Sequence, residues 1–469
     1  MFVLKGLRDM SKAIRFAVMG DTHYVQPASH RNVLEYGVQR GPTDLDDVRR
    51  HQWMTKAVVP EVIRSIAKLR PDFVLHTGDI IQGHHDSEEA GGREAAEAVE
   101  LLKGLNAPVF LTLGTHDGTP ESVTVKEHFL PAIGDSLGEK NPRTYYSFST
   151  GDTLFIALDY TTFRADSQQG RFIKETLSNA DKYRHVFVFA HPPIFPVGRP
   201  FFADFEFSSL LKEEFMKNRI DAYFCGHTHN QVASIHGIGG YYLPQLKSTI
   251  LGYPDQSPIS LTDVRPILKG PTDFHYLWGF LEDSAPSWWM VTVTGELVRA
   301  EWHVLGMGVQ SVLTFGDGQM PKVMQEPALG QSTILPLPSV SQIRSARLRA
   351  AGSGCRTKEL YRVHLNGEEI GYLPTLDYFD CRQFLEIPES YWHLLKGSND
   401  LEVSCGSEPM CVGGFVLEIE TQDGSWVRSK PTFHYYGNTS RWSRWQTENL
   451  QVIGCREPIR VKLEFAGPA

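Results

Sequence analysis

Short apolar runs of strand length recur through residues 14–305 and alternate with longer, helix-like stretches. The runs that predict buried strands are Ile14 to Met19, Asp72 to Thr77, Val109 to Leu113, His185 to Ala190 and Asp221 to Phe224. The helix-like stretches include Glu61 to Leu69, Glu94 to Leu105, Gln169 to Leu177 and Phe207 to Asn218. In the first of these, Ile63, Ile66 and Ala67 share one face, as a helix packed on a sheet requires. This alternation predicts an α/β sandwich.

The pattern changes after the hairpin-like stretch Trp288 to Leu305. Residues 309–338 are rich in Gly, Pro, Gln and Ser without clear periodicity, which predicts a linker. Beyond it, short alternating runs end in turn signals such as Asn366-Gly367 and Asp423-Gly424. We therefore expect one domain over residues 1–308 and a smaller all-β sandwich over residues 339–469.

Length, composition and charge narrow the class of protein. A chain of 469 residues is too long for one ordinary core, and 41% hydrophobic with 22% charged residues excludes a disordered or fibrous chain. The net charge of -9 argues against a nucleic-acid coat protein, although bound cations would still allow a nuclease. Met1 to Lys12 lacks the apolar stretch of a signal peptide, and no later run has the length of a membrane span. We expect a cytoplasmic protein with no membrane partner.

Five short motifs carry the candidate chemistry. They are Gly20-Asp21-Thr22-His23, Gly78-Asp79, Gly114-Thr115-His116-Asp117, His191-Pro192-Pro193 and Gly226-His227-Thr228-His229. Each follows the last apolar residue of a predicted strand, and loops at the carboxyl ends of strands converge on one rim of a sheet. Carboxylate and imidazole groups that alternate in this way are suitable ligands for a two-metal hydrolytic site.

This ordered set resembles the calcineurin-like metallophosphoesterases, whose pattern is DxH, GD, GNH(D/E), H and GHxH. The resemblance covers about residues 14 to 305 and implies an αββα-type sandwich, here followed by the smaller all-β domain. It implies hydrolysis of a small-molecule phosphate ester, with diesters somewhat preferred over monoesters. The nucleophile would be a hydroxide held between two divalent metal ions, namely Mn, Fe or Zn.

The resemblance also assigns roles to the motif residues. It implies that Asp21, His23 and His229 hold the first metal, that His191 and His227 hold the second, and that Asp79 bridges both. His116 would act at the leaving group, and a hydrogen bond from its far ring nitrogen to Asp117 would favour its protonated form.

Thr115 departs from the family pattern, which has Asn at this position. The Asn carbonyl oxygen binds a metal better than a shorter, neutral hydroxyl does. We therefore expect Thr115 to be a weak or water-mediated ligand and the second metal to be loosely held. One tightly held metal and a degenerate scaffold are the alternatives.

Residues outside the motifs bear on the substrate. His84, His85 and Arg199 are candidate substrate contacts, with Arg31 and Arg40 as further phosphate partners and solvated surface side chains as the default interpretation. The long segments Tyr24 to Arg50 and Leu246 to Trp288 are candidate rim or lid segments.

The C-terminal module resembles galactose-binding-like jelly rolls in its turn spacing. Its aromatic residues Trp426, Tyr435, Tyr436, Trp442 and Trp445 suit carbohydrate stacking, although covering the sandwich core is an equal alternative. Oligomerisation through this domain is also left open. Two further functions compete with the leading one: a nuclease, which the acidic charge disfavours, and a non-catalytic metal-binding scaffold whose β-sandwich binds carbohydrate or protein.

Overall fold

The structure, a computed structural model, describes residues 2–3, 13–38, 44–195, 205–229, 231–250, 276–282, 286–325, 335–353, 361–373, 381–404, 411–430, 432, 435–437, 450–452 and 457–467. Within these residues the helices are α1 (Arg31–Tyr36), α2 (Asp44–Ala57), α3 (Val59–Leu69), α4 (Glu88–Leu102), α5 (Leu130–Leu137), α6 (Gln168–Leu177) and α7 (Phe205–Lys217). Over the same described residues, no helix has the length and apolar character needed to cross a bilayer.

Two sheets build the N-terminal domain. Their strands are β1 (Phe2–Val3), β2 (Ile14–Met19), β3 (Phe73–His76), β4 (Val109–Leu111), β5 (Tyr146–Thr150), β6 (Thr153–Ala157), β7 (His185–Phe189), β8 (Ala222–Cys225), β9 (Gln231–Ile238), β10 (Tyr241–Lys247), β11 (Tyr276–Glu282), β12 (Ser287–Thr294), β13 (Leu297–Val304), β14 (Gly308–Phe315) and β15 (Lys322–Gln325). One sheet has the order β1-β5-β6-β7-β8-β10-β9-β11, and the other has the order β15-β14-β13-β12-β2-β3-β4. Strands β2, β3 and β4 are parallel, as are β6, β7 and β8.

Aromatic side chains fill the space between the two sheets. The Phe16 ring of β2 contacts the rings of Phe155, Phe187 and Phe224 from the facing sheet, with centroids 5.2, 5.6 and 5.9 Å away. Each fully buried phenylalanine contributes roughly 1.5–3 kcal/mol of hydrophobic stabilisation.

Helices cover the outer faces of both sheets. Val188 of β7 packs in one cluster with Ile173 of α6 and Phe207 of α7. Val62 and Ile66 of α3 are buried against the other sheet. The layers are therefore helix, sheet, sheet and helix, which confirms the expected α/β sandwich.

The C-terminal part contains two further sheets. Their strands are β16 (Ile343–Ser353), β17 (Arg362–Leu365), β18 (Glu368–Tyr372), β19 (Cys381–Glu386), β20 (Ser398–Val403), β21 (Cys411–Thr421), β22 (Trp426–Arg428), β23 (Tyr435–Gly437), β24 (Leu450–Val452) and β25 (Ile459–Glu464). One sheet has the order β19-β16-β21-β23-β24, with β22 also paired to β21, and the other has the order β18-β17-β20-β25. Leu348 and Leu417 from the first sheet share a buried cluster with Val363, Leu401 and Leu463 from the second. This arrangement confirms the expected all-β sandwich.

Three segments contain more regular secondary structure than the sequence predicted. The first part of the expected linker forms β14 and β15, which extend the N-terminal sheet beyond β13. Ladder hydrogen bonds and the buried side chains of Val312 and Leu313 stabilise these strands despite their polar composition. The expected rim segment Tyr24 to Arg50 contains α1 and the start of α2, and the segment Leu246 to Trp288 contains β11.

Candidate metal centre

The motif residues lie in the loops that leave the parallel strands. Asp21 follows β2, Asp79 follows β3, His116 follows β4, His191 follows β7 and His227 follows β8. Main-chain hydrogen bonds hold the first two loops together, from Asp21 N to Gly78 O at 3.0 Å and from His23 N to Asp79 O at 3.0 Å. The carboxyl ends of both parallel strand sets therefore contribute side chains to one place.

The backbone is left-handed at five of the six candidate metal ligands. The φ angles are 51° at Asp21, 40° at His23, 51° at Asp79, 75° at His227 and 51° at His229. This conformation is unfavourable for residues with a Cβ and costs about 1–3 kcal/mol at each position. The folded state is thus destabilised at these positions so that the side chains point toward one place. Such local strain is typical of a functional site.

Two glycines of the motifs permit this close approach. A Cβ on Gly114 would lie 2.3 Å from both the backbone nitrogen and Oδ1 of Asp79. A Cβ on Gly226 would lie 2.8 Å from Asp21 Oδ2. Both motifs therefore require glycine for steric reasons, because backbone must pass directly beside a buried carboxylate.

The first cluster joins Asp21, His23, Asp79 and His229, whose potential ligand atoms all lie within 4.8 Å of one another. The Nε2 atoms of His23 and His229 are 3.0 Å apart, and His23 Nε2 is 3.4 Å from Asp79 Oδ2. The backbone nitrogen of His227 donates to both carboxylate oxygens of Asp21, at 2.9 and 3.1 Å. Asp21 thereby anchors the Gly226 to His229 loop beside the cluster.

The second cluster joins Asp79, His191 and His227. His191 Nε2 lies 3.0 Å from Asp79 Oδ2 and 2.9 Å from His227 Nδ1. The other ring nitrogen of His191, Nδ1, donates to the carbonyl oxygen of Thr77 at 2.9 Å, so Nε2 is the atom that faces the cluster. Asp79 Oδ2 thus lies between the two clusters.

The buried carboxylates of the site favour a positive charge beside them. Burial raises the pKa of the Asp21 carboxyl to about 6, and the nearby Asp79 charge adds to this effect. Burial by itself would lower the pKa of His191, but the Asp79 carboxylate raises it to about 9. Two carboxylates with four imidazoles therefore fit a pair of divalent transition-metal ions.

Comparison with known proteins agrees with this geometry. Residues 14–231 match the sequence profile of the family described as calcineurin-like phosphoesterase. Residues 14–231 therefore resemble the calcineurin-like phosphoesterases. A putative metallophosphoesterase of Arabidopsis thaliana is 27% identical to this chain over 194 residues, a stretch that covers 36% of this chain and 26% of the relative. The chain thus spans about a quarter of the length of that curated relative.

Two solved structures with low sequence identity are also similar to this chain. A purple acid phosphatase from yellow lupin (Lupinus luteus) is 15% identical, with a TM-score of 0.42 over 65% of this chain and 54% of that chain. A dimetal phosphatase from Danio rerio is 13% identical, with a TM-score of 0.43 over 67% of this chain and 99% of that chain.

The His116 side chain is held differently from the expectation. Its backbone nitrogen donates to Asp79 Oδ1 at 2.8 Å, and its Nδ1 donates to the carbonyl oxygen of Gln82 at 2.6 Å. Burial lowers the pKa of His116 to about 4, with the Asp79 charge opposing this effect. The imidazole is therefore neutral near pH 7, with Nε2 as the atom available to a substrate.

Asp117 does not orient the His116 ring, so that expectation is wrong. Its Oδ1 accepts from the backbone nitrogens of Ile80 and Ile81, at 2.7 and 3.2 Å, and its Oδ2 accepts from Gly114 N at 2.8 Å. The carboxylate instead joins the loop after β3 to the loop after β4. Sequence adjacency to His116 pointed to the wrong partner.

Thr115 lies in the turn between Gly114 and His116, and its side chain is exposed. Its neighbours on both sides contact Asp79, so the loop itself is fixed beside the clusters. Without Thr115, the second cluster offers three ligand groups, from Asp79, His191 and His227.

His84 and His85 have different surroundings. The exposed His84 ring is 5.2 Å from the His116 ring, centroid to centroid, which places it at the rim of the site. His85 Nε2 instead contacts Glu94 Oε1 at 3.0 Å, while Glu94 Oε2 accepts from His30 Nε2 at 2.7 Å and from Gln26 N at 2.8 Å. These three side chains are close enough to share a cation, but the hydrogen bonds already satisfy the carboxylate. Through these hydrogen bonds, Glu94 holds the surrounding loops against helix α4.

The arginine candidates contribute no contact to the described site. Arg31 is exposed and pairs with Glu35 at 2.6 Å. Arg40 and Arg199 lie outside the described residues.

The aromatic candidates of the C-terminal domain are only partly described. Trp426 lies beside the guanidinium groups of Arg347 and Arg428. Trp442, Trp445 and the side chains of Tyr435 and Tyr436 lie outside the described part of the structure.

Sequence reasoning missed two residues of the site, Gln82 and His51. Gln82 follows Asp79 by three positions, and its Oε1 accepts from the Nδ1 atoms of both His23 and His51. His51 belongs to α2, far from any of the motifs in sequence. No spacing rule connects either residue with metal binding, so the fold alone identifies them.

Proposed function

We propose that this protein is a metal-dependent phosphoesterase that hydrolyses small phosphate esters, diesters in preference to monoesters. One observation carries the proposal: Asp79 Oδ2 lies 3.4 Å from His23 Nε2 and 3.0 Å from His191 Nε2. A single carboxylate oxygen between two ligand clusters suits two adjacent cations, because a shared anion offsets their mutual repulsion.

The roles of the side chains follow from this arrangement. Asp21, His23 and His229 would hold one metal ion, His191 and His227 would hold the other, and Asp79 would contact both. Bound divalent ions polarise a phosphoryl oxygen and lower the pKa of water. Because Nδ1 of His116 donates to Gln82 O, Nε2 is the nitrogen left for a substrate, and it would donate to the leaving-group oxygen from the protonated ring.

A preference for diesters has a charge argument in its favour. Burial lowers the pKa of His116 to about 4, so this ring adds no positive charge at neutral pH. A monoester dianion would need more compensating charge than a diester, which carries one negative charge. The site therefore favours the less charged substrate.

Metal removal tests the function. We expect chelator-treated protein to lose at least about a hundred-fold in turnover of bis(p-nitrophenyl) phosphate, since Lewis-acid stabilisation is worth several kcal/mol. Added Mn²⁺ should restore the activity, and kcat/KM should be higher for this diester than for p-nitrophenyl phosphate. Equal turnover before and after chelation would contradict metal dependence, and a faster monoester would reverse the proposed preference.

Thr115→Asn tests the second metal position. We expect the wild-type protein to retain less than a full second equivalent of Mn²⁺ after dialysis, because the exposed Thr115 hydroxyl is a poor ligand. The Asn variant should bind that equivalent about ten-fold more tightly, a gain in the range that ligand support provides. Thr115→Val is the matched control and should not tighten binding. Two full equivalents in dialysed wild type would show that Thr115 does not weaken the site.

A further inference from the structure

Gln82 occupies the centre of a three-histidine arrangement beside the first cluster. The residue is 6% exposed, and its backbone nitrogen donates to Tyr24 O at 2.9 Å, which fixes the main chain. Its side-chain Oε1 contacts His23 Nδ1 at 2.9 Å and also contacts His51 Nδ1. Its main-chain oxygen contacts His116 Nδ1 at 2.6 Å. One residue thus touches three imidazoles, each at Nδ1.

The direction of these hydrogen bonds decides the tautomers. A carbonyl oxygen only accepts, so each contacting Nδ1 carries the proton. The neutral His23 ring then has its lone pair on Nε2, the atom that lies 3.0 Å from His229 Nε2. This is the tautomer that a metal ligand needs, since only an unprotonated nitrogen binds a cation. A reversed amide would offer N–H groups to Nδ1 and place the His23 proton on the wrong nitrogen.

His51 contacts both the Gln82 amide oxygen and the His23 ring. Its ring is 2% exposed and stacks on the His23 ring, with centroids 4.7 Å apart and an interplanar angle of 27°. It also lies edge-on to the His229 ring at 6.5 Å. Because His51 donates to the same amide oxygen, it holds that oxygen toward His23. Helix α2, which carries His51, thereby restrains one face of the candidate ligand.

We propose that Gln82 and His51 are positioning residues for the first metal ion, fixing the tautomer and ring orientation of His23 without touching the ion. The inference rests on the proposed metal-dependent function. Partners of this kind hold ligand rings in place, and their loss typically lowers metal affinity by about 10–100-fold.

The test is a Zn²⁺ titration of the full chain against a chromophoric chelator. Gln82→Leu removes the acceptor, and we expect it to weaken the tighter Zn²⁺ site about 10–100-fold. Gln82→Glu keeps an oxygen at the same place and should retain wild-type affinity or exceed it. Gln169→Leu is the matched control, because Gln169 is an equally buried glutamine whose amide contacts only the backbone of Asp159 in the described hydrogen bonds. Its Zn²⁺ affinity should match that of the wild type.

Each outcome bears on a different claim. A wild-type chain that binds no Zn²⁺ would remove the proposed function itself. Wild-type binding with an unchanged Gln82→Leu, or equal losses in the Leu and Glu variants, would overturn the positioning role. If Gln82→Leu does not fold, His51→Phe replaces it, because phenylalanine keeps the stacking and removes the Nδ1 donor. We then expect a smaller but measurable loss of Zn²⁺ affinity, and no loss would overturn the inference.

Discussion

Asp79→Asn should lower phosphodiester turnover by about a thousand-fold or more. The substitution keeps the shape of the side chain and a polar oxygen for His116 N, which lies 2.8 Å away. It removes the negative charge between the two clusters, where the fold holds the pKa of Asp79 well below its usual range against the effect of burial, through His191 and His116. Loss of several kcal/mol of electrostatic stabilisation corresponds to this factor. Steady-state kinetics with saturating Mn²⁺ measures it.

The amount of Mn²⁺ bound to the Asp79→Asn variant shows whether its loss of turnover comes from the metal centre. We expect Asp79→Asn to bind fewer than two equivalents of Mn²⁺, because adjacent cations lose their shared anion. Asp135→Asn is the charge-matched control, since the exposed Asp135 lies on α5 away from the site. An Asp79→Asn variant that retains a tenth or more of wild-type turnover would refute the bridging role.

The position of the motif residues was predictable because it depends on regular geometry. Asp21, Asp79 and His227 each follow a short, mainly apolar strand, and parallel strands bring their carboxyl ends to one edge. The apolar runs alone predict both the strands and the rim. Because the motif glycines pass beside carboxylates, their presence was an additional local sign of close approach.

Hydrogen-bond partners within the site were not predictable in the same way. Asp117 follows His116 directly, yet its carboxylate binds the backbone of Ile80, Ile81 and Gly114. Neighbours in a sharply turning loop project in different directions, so adjacency does not imply contact. His51 joins the site only because α2 packs over it, and that packing is a property of the tertiary structure.

The polar stretch after β13 shows that amino-acid composition alone does not distinguish a linker from a strand. Gln310 and Ser311 have side chains typical of a linker, yet both are buried in β14. Ser311 pairs with Trp302 of β13, Gln310 lies at the bulge in this pairing, and Val312 and Leu313 supply the apolar contacts. An added edge strand needs few apolar residues when a neighbouring sheet already exists.

His116→Ala should reduce turnover in a way that depends on the leaving group. Because Nδ1 already donates to Gln82 O, Nε2 can donate to a leaving oxygen only when the ring is protonated. For an alkyl diester, whose leaving oxygen needs such a donor, we expect a loss of about 10²–10⁴-fold that grows as the pH falls toward the His116 pKa of about 4. For bis(p-nitrophenyl) phosphate, whose leaving group is already stable as an anion, the loss should be much smaller. Measuring kcat/KM across a series of leaving-group pKa values gives this dependence as a slope.

The slope distinguishes leaving-group chemistry from damage to the metal centre. His116 is absent from both ligand clusters, so the variant should keep wild-type Mn²⁺ content. His393→Ala, at an exposed histidine of the C-terminal domain, controls for the loss of an imidazole and should leave the slope unchanged. If His116→Ala lowers turnover of all diesters by the same factor, the ring does not act at the leaving oxygen. A uniform loss of that kind would leave orientation of the phosphoryl group as the contribution of the ring.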